Sequence, residues 1–138
     1  MTIFLDACTL IYLIEGNPAF AARVKTKLAQ LMQAAPNPDI AISRLSWLEC
    51  RVAPIKRQQN TTLARYDAIF SQPDLAWIEL DRHVVELATA IRARTGLRTP
   101  DSLQAASCLQ LGKEHIFLTG DKAFNRVHGL NCEIVAAT

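Results

Sequence analysis

The hydrophobic positions of this chain form short apolar runs, typical of strands, that alternate with longer stretches at helical spacing. The first run, 2–5, is β-branched and aromatic, which favours a strand buried on both faces. Asp6 follows it directly, and a second apolar run at 10–14 predicts a short helix that ends at 15–18. Asp6 either lies where open α/β sheets bind ligands or simply caps that helix.

The remaining pattern continues the alternation. Further strands are predicted at 40–42, 76–80, 115–119 and 132–135, and helices at 18–34, 43–53 (stopping before Pro54), 56–71, between Asp81 and Gly96, from a Thr99 cap to Leu111, and at 120–124. Strands that alternate with helices indicate a parallel sheet with helices on both faces. We therefore predict an α/β fold, a three-layer α/β/α sandwich around a mostly parallel sheet of about four to five strands, forming one domain over 1–138.

Three more carboxylates stand at informative places. Asp121 follows the strand at 115–119, and Asp101 lies in the first turn of the helix that Thr99 and Pro100 begin. Glu49 lies within a helix beside an apolar stripe of Leu45, Leu48 and Val52. Each has a simpler interpretation: Asp121 as a helix cap, Asp101 as a partner of the helix dipole, and Glu49 as a solvated surface residue.

A convergence of these acids would require a counter-ion. Two unit charges at about 4 Å repel by about 4 kcal/mol at an effective dielectric of about 20. A divalent cation is the simplest group that holds such a cluster ionised. The cluster offers only oxygen ligands, without a suitably spaced His or Cys, so Mg²⁺ or Mn²⁺ is favoured over Zn²⁺.

Composition places the chain among globular proteins and gives its surface a basic character. Half of the residues are hydrophobic and 20% are charged. If four acids form one site, nine of the 13 remain against 15 Lys and Arg, so the rest of the surface carries about +6. An acidic pit in a basic surround suits a polyanionic substrate, whereas ordinary solvated helix faces are the simpler explanation of each basic cluster.

Cysteine spacing and the lack of a long apolar stretch favour the cytoplasm. The four cysteines lie far apart without a C-x-x-C pair, which predicts reduced thiols. No apolar run reaches the length of a membrane span, and the first residues do not have the basic region of a signal peptide. We predict a cytoplasmic protein with no membrane partner.

Four segments resemble the acidic motifs of PIN-domain ribonucleases: I-F-L-D at 3–6, L-E at 48–49, T-P-D-S-L-Q-A-A at 99–106 and L-T-G-D-K-A-F at 118–124. In length and spacing the chain is most similar to VapC-type toxins of toxin–antitoxin pairs. One departure is visible, because the family usually has Ser, Thr or Asn two places after the first Asp, where this chain has Cys8.

The resemblance implies a Mg²⁺-dependent endoribonuclease that inhibits translation or growth. It assigns the metal to Asp6, Glu49, Asp101 and Asp121, with the Thr119 hydroxyl assisting. It also implies an RNA substrate, a homodimer, and a small antitoxin whose tail places a basic residue in the acidic pit. Phe20, Tyr66 and Phe70 could serve an interface or fill the core, and Arg44, Arg51 and Arg98 are candidates for binding flanking phosphates.

Two other classes of function remain open at this stage. One is a regulatory binding module, PIN-like or receiver-like, whose acidic pocket binds a cation or a basic side chain without turnover. A receiver would need paired acids near the first strand and a late Lys, and only Lys122 is available. The other is a phosphatase with Asp6 as nucleophile, which would prefer an Asp where Cys8 stands.

Overall fold

The computed structural model describes residues 1–112 and 114–135. Five strands are present in this part: β1 (Thr2–Leu5), β2 (Asp39–Ser43), β3 (Leu75–Ile78), β4 (His115–Thr119) and β5 (Cys132–Ile134). The helices are α1 (Ala7–Glu15), α2 (Pro18–Ala34), α3 (Leu45–Lys56), α4 (Asn60–Phe70), α5 (Arg82–Thr95) and α6 (Thr99–Leu109), followed by a 3-10 helix, Lys122–Arg126. The single-domain prediction for 1–138 also includes Lys113 and 136–138, which lie outside the described residues.

All five strands form one parallel sheet in the order β3-β2-β1-β4-β5. Strand β1 is central and buried along its whole length, as its apolar sequence predicts. The chain fills one half of the sheet with β2 and β3 and the other half with β4 and β5. The strand order therefore reverses between β1 and β4, and open α/β sheets bind ligands at such a crevice.

Alternate residues of β1 face opposite layers of the core. Ile3 and Leu5 pack with α1, α2 and α4, whereas Phe4 faces α5 and α6 and stacks on Phe117 with ring centroids 5.4 Å apart. This confirms the predicted three-layer α/β/α sandwich. Phe20, Tyr66 and Phe70 are buried in the first of these layers, so their interpretation as interface residues is wrong. No helix in residues 1–112 and 114–135 is long and apolar enough to cross a membrane.

The helix caps predicted from sequence are largely present. The Asp6 side chain accepts a hydrogen bond from the Thr9 amide, so α1 begins at Ala7, earlier than predicted. Asp81 caps α5 in the same way through Val84, and Gly96 ends that helix with a φ of 73°. The predicted Thr99 cap is wrong. Thr99 is the first residue of α6, and Arg98 holds the cap position without a side-chain capping bond, while its carbonyl accepts from the Ser102 amide.

Other predicted boundaries differ. Helix α3 continues through Pro54 to Lys56, because Pro54 lies in the last turn, where its missing N–H breaks only one hydrogen bond. Helix α4 then begins later than predicted, at Asn60. Strand β3 ends at Ile78, and α6 ends at Leu109 rather than Leu111.

The apolar stripe predicted on α3 faces outward. Leu48 is 60% exposed and Val52 is 54% exposed, and Ile55 beside them is also exposed. The buried face of this helix is formed by Ser46, Cys50 and Pro54. Small residues on the inner face let the helix approach its neighbours closely, so the larger apolar residues lie on the outer face. We call the exposed Trp47, Leu48, Val52 and Ile55 the α3 apolar patch.

Candidate metal centre

Asp6 lies at the carboxyl end of the central strand and is 2% exposed. Its Oδ1 accepts a hydrogen bond from the Thr9 amide at 2.9 Å, and its Oδ2 accepts one from Thr119 Oγ1 at 2.6 Å. The parallel register pairs Leu5 with Leu118, which places Thr119 directly beside Asp6. Asp6 therefore caps α1, as the simpler interpretation holds, and also lies in the crevice where the strand order reverses.

Burial makes the charge of Asp6 costly. Loss of water raises the pKa of its carboxyl from 3.8 to about 6, although the hydrogen bonds from Thr119 and Thr9 act in the opposite direction. The negative charge of Asp101 raises this pKa further. At neutral pH the side chain is thus a buried anion that the protein stabilises incompletely. A cation bound beside it would supply the missing stabilisation.

Thr119 links the first acid to the last. It is fully buried, and its Oγ1 donates to Asp6 and accepts a hydrogen bond from the Asp121 amide at 3.1 Å. The Asp121 carboxylate accepts from the Ala123 amide at 2.9 Å and so caps the 3-10 helix. The capping interpretation of Asp121 is therefore correct, and the residue also lies beside Asp6 at the same sheet edge.

Asp101 lies in the first turn of α6, and its charge contributes to the raised pKa of Asp6. The negative charges of Asp6, Asp121 and Asp101 all contribute to the raised pKa of the Cys8 thiol, so the three acids lie on the side of the molecule where Cys8 lies. Arg98 Nε donates to Asp101 Oδ2 at 3.3 Å, and the Arg98 side chain is 80% exposed.

The other two candidate phosphate-binding residues are engaged elsewhere. Arg44 pairs with Glu79 at 2.7 Å and stacks over Trp77. Arg51 pairs with Asp67 and lies over Trp47. Of the three arginines predicted at the mouth of the site, Arg98 contacts a predicted site acid directly.

Glu49 of α3 is joined to α6, the helix that carries Asp101, by a hydrogen bond. Gln104 Nε2 donates to Glu49 Oε1 at 3.0 Å, and α3 and α6 meet at this bond. Burial raises the pKa of Glu49, the Gln104 bond lowers it, and the Asp101 charge raises it. Sequence reasoning did not single out Gln104. The available signal was its position three residues after Asp101, which puts both on one face of the helix.

The hydrogen bond to the Asp6 carboxylate from this part of α1 comes from Thr9 and not from Cys8. Burial is the main cause that raises the pKa of the Cys8 thiol, to about 11, so at neutral pH it is neither an anion nor a good metal ligand. Thr9 instead provides its amide to Asp6, while its hydroxyl donates to the Leu118 carbonyl at 2.8 Å. A phosphatase with a second acid at position 8 gains no support from this arrangement.

Gly120 allows close packing at the end of β4. A Cβ at Gly120 would lie 2.6 Å from Cε2 of Tyr12, so no larger residue fits without moving that ring. The Tyr12 ring is held in turn by an edge contact with Phe20 at 4.5 Å. The glycine of the L-T-G-D segment thus lets Tyr12 of α1 cover the loop that carries Asp121.

The donor set fits a hydrated Mg²⁺ or Mn²⁺ ion. As the described side chains stand, no three His, Cys, Asp or Glu residues are close enough to hold one ion jointly. Mg²⁺ usually retains several waters and binds through one or two carboxylates, so a closed protein cage is unnecessary. The groups at this edge are carboxylates and a threonine hydroxyl, which are hard oxygen donors.

The fold and this acidic crevice define a class: a parallel α/β protein with carboxylates at its topological switch point. The sequence matches the PIN domain over residues 3–130, so the chain belongs to the PIN domain family, a family of nucleases. No curated protein sequence is similar enough to count as a match. The resemblance predicted from the acidic motifs is thereby confirmed.

Several solved structures share this fold. VapBC2 from Rickettsia felis, bound to a DNA fragment from its promoter, has a TM-score of 0.78 at 19% identity, covering 97% of this chain and 98% of that chain. VapBC-1 from nontypeable Haemophilus influenzae has a TM-score of 0.73 at 17% identity, with 97% and 98% coverage. A toxin–antitoxin complex from Klebsiella pneumoniae has a TM-score of 0.68 at 26% identity, with 93% and 94% coverage.

Proposed function

We propose that this chain is a Mg²⁺- or Mn²⁺-dependent endoribonuclease and the toxin of a type II toxin–antitoxin pair. It would hydrolyse RNA phosphodiester bonds and so inhibit translation or growth. The observation that carries the proposal is the buried Asp6 carboxylate, which lies at the switch point of a PIN fold and is linked through Thr119 to the loop of Asp121. A protein rarely keeps a partly compensated buried charge unless a ligand uses it.

The four acids and Thr119 would have different roles, which their positions determine. Asp6 and Asp101 are proposed to hold the ion directly, while Glu49 and Asp121 hold it through water or orient the attacking water. The ion would neutralise charge on the scissile phosphate and lower the pKa of that water. Thr119 keeps the Asp6 carboxylate in one orientation by donating to Oδ2.

A polyanionic substrate agrees with the charge distribution. With four acids in the site, the rest of the surface carries about +6, which attracts a phosphate backbone. Arg98 is exposed and contacts Asp101, so it is placed to exchange this contact for a phosphate next to the scissile bond. We therefore propose RNA as the substrate, with Arg98 as a binding residue.

Cleavage of RNA in Mg²⁺ is the direct test. The purified chain should cut RNA in Mg²⁺ or Mn²⁺ and not in EDTA, and sequencing of RNA 5′ ends after induced expression should show discrete new ends. The alternative is a silent binding module, which the lack of a preformed three-residue metal group in the described part favours. Binding of Mn²⁺ without cleavage of any RNA would establish that alternative and exclude the ribonuclease.

Two surfaces support the proposed partners. A cleft of about 780 Å³ lies between α1, α2, β2, β3 and α4, lined largely by apolar side chains that include Leu13, Leu28 and Met32. We assign it to an amphipathic segment of a small antitoxin, since exposed apolar clefts mark interaction sites and an amphipathic helix can lay its apolar face into such a groove. The α3 apolar patch is assigned to the homodimer, because a C2 contact buries the same patch of both copies.

Native mass separates these two assignments. Val52→Asp, in the α3 apolar patch, should halve the native mass of the chain yet leave antitoxin binding intact, because a charge in an apolar interface is unpaired. Met32→Asp, in the cleft, should keep the dimer and lose a co-expressed antitoxin. Light scattering after size exclusion measures both. If the parent and Val52→Asp have the same native mass, the α3 apolar patch is not the dimer contact. If Met32→Asp still binds the antitoxin, the cleft is not the antitoxin site.

A further inference from the structure

Gln104 forms a buried polar bridge behind the candidate metal centre. It lies on α6 and is 2% exposed. Its Nε2 donates to Glu49 Oε1 at 3.0 Å and to Ser46 Oγ at 3.1 Å, so one amide contacts two residues of α3. Its Oε1 is buried and has no hydrogen-bond partner among the described residues.

This arrangement is unfavourable for stability taken alone. A buried carbonyl oxygen without a partner costs about 1–3 kcal/mol. Turning the amide over would let the Ser46 hydroxyl donate to that oxygen, but it would also place the oxygen against the Glu49 carboxylate, which repels it, and would leave the amide nitrogen without these acceptors. A Met or Leu of similar size would remove the orphaned oxygen, although it would also remove the donor to Ser46 and Glu49. A side chain that destabilises the fold and yet contacts a candidate ligand is typical of a functional position.

Glu49 needs a partner to hold it. Asp101 repels its carboxylate, and a long side chain on a half-exposed helix face would rotate away from that charge. The Gln104 amide opposes this rotation from the same helix that carries Asp101, one turn further along. The distance between the two acids is thus fixed by α6 rather than by α3 alone.

We propose that Gln104 is a positioning residue that aims the Glu49 carboxylate at the metal ion bound near Asp101. This inference rests on the proposed function of the same site. It assigns Gln104 no contact with RNA or with the metal. Its oxygen remains without a partner because the donor end of the amide is needed at Glu49.

The test compares metal affinity with stability. Gln104→Met keeps the volume and removes the donor. Loss of such a bond behind a metal ligand typically weakens metal binding by about 10- to 100-fold, and we expect this loss for Mn²⁺ followed by electron paramagnetic resonance. Thermal unfolding in EDTA should occur near the temperature of the parent, because removal of the orphaned Gln104 oxygen offsets the loss of the donor to Ser46 and Glu49. A purely structural role predicts the opposite: a lower unfolding temperature with Mn²⁺ affinity unchanged.

Two further variants make the result specific. Gln104→Met should have no additional effect on Mn²⁺ affinity in a Glu49→Gln background, because the bond it removes acts through that carboxylate. Ser107→Ala is the matched control: it is a buried polar residue of α6 whose hydroxyl contacts Ser43 and the Leu103 carbonyl, and it should leave Mn²⁺ affinity unchanged.

The outcomes separate this inference from the proposed function. If the parent binds Mn²⁺ and Gln104→Met binds it equally well, the positioning role is wrong and the ribonuclease proposal stands. An additive effect in the Glu49→Gln background likewise overturns the role of Gln104. If the parent binds no Mn²⁺ at all, both proposals fail together.

Discussion

Asp6→Asn is expected to lower the rate of Mg²⁺-dependent RNA cleavage by about 1,000-fold while the chain remains folded. The change removes the charge of the most buried acid at the site but preserves its shape. Stabilisation of transition-state charge by a bound metal is worth several kcal/mol, and each 1.36 kcal/mol is a factor of about ten in rate. Single-turnover cleavage of an RNA cut by the parent is the measurement, with circular dichroism as the check on folding.

Asp101→Asn should behave in the same way, and the control is an acid outside the site. Glu86 lies on the exposed surface of α5, where it pairs with Arg82. Its replacement by Gln should leave the rate unchanged. If Asp6→Asn and Asp101→Asn cut RNA as fast as the parent, the assignment of the site is wrong even if the chain proves to be a nuclease.

The stability of the metal-free chain should fall as the pH rises through the range in which Asp6 ionises. The carboxyl has a pKa of about 6 in the folded chain against 3.8 ordinarily, so the folded state binds more protons than the unfolded state between these values. Stability decreases with pH wherever the folded state binds more protons. The difference corresponds to about 3 kcal/mol, present in full at low pH and lost by about pH 7.

The measurement is the free energy of urea unfolding in EDTA at a series of pH values, for the parent and for Asp6→Asn. The variant does not have the ionisable group, so the difference between the two curves isolates Asp6 from the other acids, including Glu49. Addition of Mg²⁺ at neutral pH should restore the stability of the parent and have little effect on the variant. Parallel curves for the two proteins would contradict the claim that Asp6 is a poorly compensated buried anion.

The activity and stability experiments test the same physical feature, which is the burial of the Asp6 carboxylate. The burial that makes Asp6 unfavourable in the empty fold would make its attraction for a cation strong, because few waters compete for the carboxylate. Stability and activity should therefore respond to Asp6→Asn in opposite directions. This opposition is the usual sign of a site built for a ligand rather than for the fold.

The sequence signals that pointed to the four candidate acids differ in strength. Asp6 and Asp121 follow apolar strands, and Asp101 follows a Thr-Pro helix start, so local patterns alone pointed to them. Glu49 had a weaker local signal, the apolar stripe beside it, and the PIN resemblance gave the second reason to single it out. Gln104 was missed, because a hydrogen bond between two helices that are distant in sequence does not show in the hydrophobic pattern of either helix. Thr9 was not assigned a role at the site, although its amide bonds to Asp6 only three residues away.

The α3 helix shows where pattern reasoning failed. Leu45, Leu48 and Val52 recur at helical spacing, and apolar residues in that pattern usually pack on a core. The spacing correctly predicted a helix, but it does not say which neighbour the apolar face meets. In the fold Ser46 and Cys50 face inward, and Leu48 and Val52 are exposed on the outer face.

The sequence by itself determined the order of strands and helices, most helix caps and the positions of acids at strand ends, because these depend on residues close together in the chain. Only the tertiary structure decided the pairing of β1 with β4, the joining of α3 to α6 through Gln104, and the loss of water around Asp6. Those features depend on which surfaces meet after the chain has folded. Burial and hydrogen bonding between distant segments, rather than the order of residues, set the pKa of the central acid.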